Sequence, residues 1–194
     1  DLCGHATLAS AHILFEYYAD LAEEEINFDS KSGNLKITKF DRGLCLNFPA
    51  DYPVETELDS LFFEILGIKP LKLLRGKDDY LAIFKSQKQI EEMQPKFSLL
   101  KKVDARGLVI SAPGDDVDFV SRCFYPEAGI EEDPVTGSAH TMLTPYWATQ
   151  FNKNELDAHQ LSKRGGKLNC RLANERVLIS GNSVIYFEGT ISIV

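Results

Sequence analysis

Over residues 4–21 the sequence holds no Pro, and no Gly after the first position. It is rich in Ala, Leu and Ile, which favour or tolerate helix. Leu8, Ala9, Ala11, Ile13, Leu14 and Phe15 spread around the helical circumference rather than forming one stripe. A helix apolar on most of its surface has to be enclosed, so the remaining chain must wrap it. His12, Glu16 and Asp20 fall within the same segment, which a lipid-spanning helix does not tolerate at its centre. The expected wrapping is therefore protein, and no membrane span is expected.

The wrapping reads as strands. Leu35 and Ile37 alternate with polar neighbours over 34–40, and Leu44, Leu46 and Phe48 follow at spacing two, joined through an Asp41-Arg42-Gly43 hairpin turn. Two more runs, 71–74 and 80–84, flank the turn at 75–79, and strand-like stretches recur at 108–111, 117–125, 168–172, 177–180 and 184–193. Pro49-Ala50-Asp51-Tyr52-Pro53 forbids helix and weakens sheet, which makes it the expected domain boundary. Leu58, Leu61, Phe62, Ile65 and Leu66 then fall at helical spacing, with Gly67 as a stop. A further helix opens at Gly137 and runs through Met142, Leu143, Tyr146, Trp147 and Phe151, with Pro145 predicting a kink or a late start. Tyr146 and Trp147 read as packing residues, and Glu23-Glu24-Glu25 as a solvated helix end.

The two helix openings share a pattern. Gly4-His5-Ala6-Thr7 and Gly137-Ser138-Ala139-His140 each set Gly and Ala two apart, which predicts two similar α+β halves whose helix starts can face each other. The second opening follows Glu131-Glu132-Asp133-Pro134-Val135-Thr136. Pro134 holds Asp133 out of the helical region, and Gly137 permits close backbone approach where a helix leaves its first N–H groups unpaired. Such an end binds anions, and Ser138 adds a hydroxyl. The plainer alternative is that Asp133 caps a helix whose first residue is Pro134. His5 is a candidate acid or base, since imidazole exchanges a proton near neutral pH. His12 reads as core-lining, and a structural role is the commoner one for His140 and His159. Arg122 and Arg164 are candidate anion contacts, with a surface or structural role as the alternative.

Charge and cysteine usage narrow the function. The 194 residues carry 21 basic and 29 acidic side chains, a net charge of −8, so the molecule repels phosphate backbones and nucleic acid is a poor partner. Cys3, Cys45, Cys123 and Cys170 form no Cys-x-x-Cys and no zinc-finger spacing, so no structural metal is expected. They read as reduced thiols in a cytoplasmic protein. Cys3, just ahead of a helix start, is where a thiolate would be stabilised. Its plainer role is to fill a tight turn. The opening Asp1-Leu2-Cys3, with no Met, indicates processing, truncation or numbering that begins inside a larger protein.

Cys3-Gly4-His5-Ala6-Thr7-Leu8-Ala9 and Glu132-Asp133-Pro134-Val135-Thr136-Gly137-Ser138-Ala139-His140 resemble the two signature motifs of the phenazine-biosynthesis PhzF-like family. The resemblance spans essentially the whole chain and takes in the stretches 119–126 and 160–166. It implies a diaminopimelate epimerase-like α+β fold: two similar domains, each a curled, mostly antiparallel sheet or barrel around a central helix. Residues 1–48 would be the remainder of the N-terminal domain, joined by a last strand at about 184–194, and 54–183 the C-terminal domain. It implies a cofactor-independent isomerase, without metal, that shifts a proton on a small carboxylate of the dihydro-hydroxyanthranilate type in the cleft between the domains. His5 and Asp133 would be catalytic, with Gly4, Gly137 and Ser138 binding substrate. A homodimer is suggested by the resemblance alone. The family's principal acid/base is a glutamate in a Ser-Glu-Thr-like segment ahead of the Gly-His motif, which this sequence does not contain. A non-catalytic binding protein on the same fold is the alternative. A two-thiol epimerase is a second one, disfavoured because no Cys accompanies Asp133.

Overall fold

The structure is a computed structural model that describes residues 4–18, 24–30, 33–40 and 43–191. Cys3, Glu23 and the Asp41-Arg42 part of the expected hairpin turn lie outside them. Helix α1 (Gly4–Tyr17) is followed by the strands β1 (Glu25–Ser30), β2 (Gly33–Phe40) and β3 (Gly43–Pro49), which form an antiparallel meander. Glu25 begins β1 and pairs with Lys36 of β2 at 2.6 Å, so the acidic run leads into a strand instead of closing a helix. Next come β4 (Val54–Glu55), α2 (Ser60–Leu66), β5 (Lys72–Arg75), β6 (Asp79–Ile83), α3 (Gln87–Glu92), α4 (Phe97–Leu100), β7 (Gly107–Pro113) and β8 (Phe119–Tyr125). The chain continues through a 3₁₀ turn, β9 (Ile130–Asp133), α5 (Gly137–Phe151), β10 (Glu155–Gln160), β11 (Gly166–Ala173) and β12 (Arg176–Gly181).

The fold is mixed α+β, built on one large curled sheet in the order β1-β2-β3-β12-β11-β10-β8-β7-β6-β5-β4, with β9 beside β8. Its pairings are antiparallel except β6 with β7 and β8 with β10. Strand alternation sorts the side chains into two cores. Phe119, Cys123 and Tyr125 of β8 face α5 in the larger core, and Val120 and Phe124 face the smaller core under α2 to α4. Gly67 ends α2 at φ 70° as the sequence indicates, and the structure adds a cap not read from the sequence: Asp59 accepts from the Leu61 N–H at 2.9 Å.

The enclosed-helix expectation separates between the two helices. Helix α5 is buried continuously from Ala139 to Ala148. Helix α1 buries Gly4, Ala11 and Phe15 against β3 and α5, and its opposite face, with Ile13 and Tyr17, is exposed. Helix α5 runs unbroken through Pro145 and starts at Gly137, so the late start does not occur. A proline has no N–H for the carbonyl four residues back. Here that carbonyl, Thr141 O, accepts the Asp51 N–H at 3.0 Å, which staples the Pro49–Pro53 crossing onto the helix. The strand expected over 184–193 is absent from the described residues: 182–191 form no regular structure, and Val184, Tyr186 and Phe187 are exposed.

Candidate active site

The starts of α1 and α5 meet. A Cβ at Gly4 would lie 3.3 Å from the Gly137 Cα, and one at Gly137 would lie 3.5 Å from the Gly4 Cα, with the fully buried Phe48 ring against both. A side chain at Gly4 would press on the Gly137 backbone by a few tenths of an ångström, whereas a Cβ at Gly137 would meet ordinary van der Waals contact, so the close approach asks most of Gly4. Helix α5 opens without a side-chain cap, so its first N–H groups have no partner within the helix. Thr136 stands at the cap position and spends its hydroxyl on Asp133 instead. His5 lies exposed in the first turn of α1.

Asp133 ends β9 rather than capping α5, and Pro134 lies outside the helix, so the capping alternative does not hold. Its carboxylate accepts the Thr136 hydroxyl. The loop 133–136 is held from behind by the fully buried Gln160, which donates to Asp133 O at 2.7 Å and accepts the Thr136 N–H at 2.8 Å. Ser162 donates to Pro134 O at 2.7 Å, completing the brace. Gly166 lets this loop lie close: a Cβ there would fall 2.3 Å from Val135 Cγ2, a rigid side chain with nowhere to turn. Gly166→Ala is expected to destabilise the protein by about 1–3 kcal/mol in urea denaturation. Val135→Ala in the same chain should restore most of the loss, and additive losses would show that the strain lies elsewhere.

Ser138, half-buried, faces Arg106, whose Nη2 donates to its Oγ at 3.2 Å. Arg106 is clamped by Asp79. Burial works against the guanidinium charge, and the Asp79 carboxylate outweighs that, so Arg106 holds its proton more tightly than usual. A cavity of about 260 Å³ opens beside Ser138, with Asp51, Arg106, Thr141 and Met142 in its walls. Burial pushes the Asp51 carboxyl up, an effect eased by the Lys77 backbone N–H.

Arg122 meets Glu132 through two nitrogens, at 2.7 and 3.0 Å, and donates to the carbonyls of Ile90 and Met93. Arg164 lines a separate surface depression with Lys101, Lys163 and Glu131. His140 is fully buried: Nδ1 lies 2.8 Å from Thr136 O and Nε2 has no partner. Burial lowers its pKa to about 4, so the ring is neutral. The free thiols of Cys123 and Cys170 are buried, and burial raises both, Cys170 to about 12. Burial of both thiols counts against either as an exchanging acid or base, and Cys3, the thiol that the two-thiol alternative names, lies outside the described residues. Among the described residues no three of His, Cys, Asp and Glu gather where they could hold a metal, and no helix is long and apolar enough to cross a membrane. Asp79, Arg106 and Gln160 escape sequence reasoning because nothing within a few residues of each marks its partner. Thr136 stands in the second motif, but nothing in the sequence gives it a role.

Comparisons with known proteins bear on the family and the fold. The PhzC-PhzF family, described as phenazine biosynthesis-like protein, matches residues 1–189. The chain is 46% identical over 190 residues to an uncharacterized isomerase of Pseudomonas aeruginosa, covering 98% of this chain and 72% of that one. It resembles the crystal structure of a PhzF family protein of Enterococcus faecalis with a TM-score of 0.94 at 41% identity, covering 100% of this chain and 74% of the other. A hydroxyproline epimerase of Agrobacterium vitis shares the fold alone, with a TM-score of 0.53 at 10% identity over 94% of this chain and 64% of that one.

Proposed function

The chain belongs to the phenazine biosynthesis-like (PhzC-PhzF) family, and on that premise we propose that it is a cofactor-independent isomerase that shifts a proton on a small carboxylate. The observation that carries this reading is the meeting of Gly4 and Gly137 at an uncapped helix start. N–H groups of Gly137 and Ser138 receive the substrate carboxylate. They also stabilise the negative charge that spreads into it when a neighbouring C–H loses its proton. His5 and Asp133 relay or position that proton, which returns to a different carbon. The principal base is a glutamate of a segment that these 194 residues do not include. A reducing, cytoplasmic setting belongs to the reading and fits the free thiols of Cys45, Cys123 and Cys170.

The test is hydrogen exchange in D₂O. A panel of small carboxylates that includes dihydro-hydroxyanthranilate is incubated with the 194-residue chain and with a form extended by a Glu-bearing N-terminal segment. Deuterium entering a C–H position is read by mass spectrometry. Exchange that appears on one of these carboxylates and is lost in Asp133→Asn and His5→Ala supports the isomerase. Turnover only in the extended form overturns self-sufficiency of the 194 residues. A chain that binds carboxylates, exchanges none and is indifferent to both substitutions is a binding protein.

A further inference from the structure

The proton shift as described gives no work to the Asp79–Arg106 pair. Asp79 is 3% exposed at the start of β6 and Arg106 precedes β7, and the parallel pairing of Asp79 with Gly107 sets the two side by side. Withdrawing a carboxylate and a guanidinium from water is costly, and the attraction between them often does no more than offset it, so a pair of this kind is weak evidence of stabilisation alone. Arg122 shows what a structural arginine looks like in this fold, with its donors spent on Glu132 and the backbone carbonyls of Ile90, Glu91 and Met93. Arg106 is used differently. Nε donates to Asp79 Oδ1 at 2.9 Å, and Nη2 serves both Asp79 Oδ2 and, at 3.2 Å, the Ser138 hydroxyl. Tyr125 supports the pair from the sheet, its hydroxyl 3.4 Å from Asp79 Oδ2 and its ring 5.3 Å from the guanidinium.

A serine hydroxyl has one proton and two lone pairs, and a guanidinium can only donate. The bond from Nη2 therefore occupies a lone pair of Ser138 Oγ and leaves the hydroxyl proton to point elsewhere. Thr141 holds the same residue from the other end by donating to Ser138 O at 2.7 Å. We propose that Arg106, clamped by Asp79, is a positioning residue that fixes the Ser138 hydroxyl as a donor toward an anion held at the start of α5. This inference rests on the reading of Gly137 and Ser138 as a carboxylate site.

Benzoate is the probe, titrated into ¹⁵N-labelled protein and followed at the amides of Gly4, Gly137 and Ser138. Arg106→Lys keeps the charge and loses the rigid fork. Asp79→Asn keeps the shape and loosens the clamp, and it serves if the first variant does not fold. Each, like Ser138→Ala, is expected to weaken benzoate about fivefold. Arg106→Lys combined with Ser138→Ala should bind no more weakly than Ser138→Ala alone, because the arginine acts through the hydroxyl. Independent effects would instead multiply to about 25-fold. That outcome, or unaltered affinity in both Arg106→Lys and Asp79→Asn, overturns the proposal. The ligand-free protein supplies a separate readout: the Ser138 amide and Cβ resonances should shift in Asp79→Asn, and unmoved resonances count against the clamp. Benzoate that leaves all three wild-type amides unshifted sinks the carboxylate reading, and the clamp is then decided by the ligand-free resonances.

Discussion

Asp133→Asn is expected to lower deuterium exchange on the substrate by about 10²–10⁴-fold, the usual contribution of a positioned acid or base, while leaving carboxylate binding within about twofold. Asparagine keeps the shape of the side chain and retains an oxygen that can accept the Thr136 hydroxyl, so the loop braced by Gln160 should stay in place. What it loses is the ability to take up or release a proton. In the proposed site binding rests on different atoms, the N–H groups at the uncapped start of α5, which the substitution does not touch. The loss should therefore fall on kcat with KM nearly constant. Full activity in Asp133→Asn would reduce Asp133 to an anchor for Thr136, and a collapse of binding along with rate would mean that the loop had moved.

The second large effect concerns stability in acid. His140 is neutral in the fold because burial lowers its pKa from the ordinary 6.5 to about 4, an effect the Thr136 carbonyl only partly opposes. Between those values the unfolded chain takes up a proton that the folded chain refuses, so stability falls as pH drops through this window. Below about pH 4 both states are protonated and the loss levels off. The full contribution is roughly 3 kcal/mol. His140→Leu gives up the bond to Thr136 O and removes the titration, so it should be less stable than wild type at pH 7 and should close that gap between pH 6.5 and 4. Urea midpoints of the two proteins at pH 7, 6, 5 and 4.5 measure the difference directly, and other titrating groups such as Asp51 cancel in the comparison. Parallel curves would show that His140 takes a proton in the folded protein, against its burial and its partnerless Nε2.

Several elements were legible in the sequence because their causes are local. Gly67 stops α2, and the alternation of Leu44, Leu46 and Phe48 marks β3. The repeated Gly-x-Ala pattern suggested that the two helix openings can face each other, and the structure sets Gly4 against Gly137. Other elements left little local trace. Strand β10 reads Glu155-Leu156-Asp157-Ala158-His159-Gln160, polar enough to pass for a loop, and is a strand because β8 and β11 flank it. The apolar surface of α1 signalled enclosure, yet burial depends on which elements reach that surface, and a sequence pattern carries no such information.

The sequence by itself determined the opening of a helix near Gly4, the turn at Gly67 and the extended residue before Pro134, since propensity and the steric demand of proline act within a few neighbouring residues. Only the tertiary structure decided which of those features share a site. The Arg106 bond to Ser138, the Gln160 brace on Asp133 and the Asp51 N–H on the carbonyl freed by Pro145 join residues far apart in the chain. Their partners are chosen by strand register and by the curl of the sheet around α5, so the chemistry that each side chain can perform is set by neighbours that no stretch of sequence names.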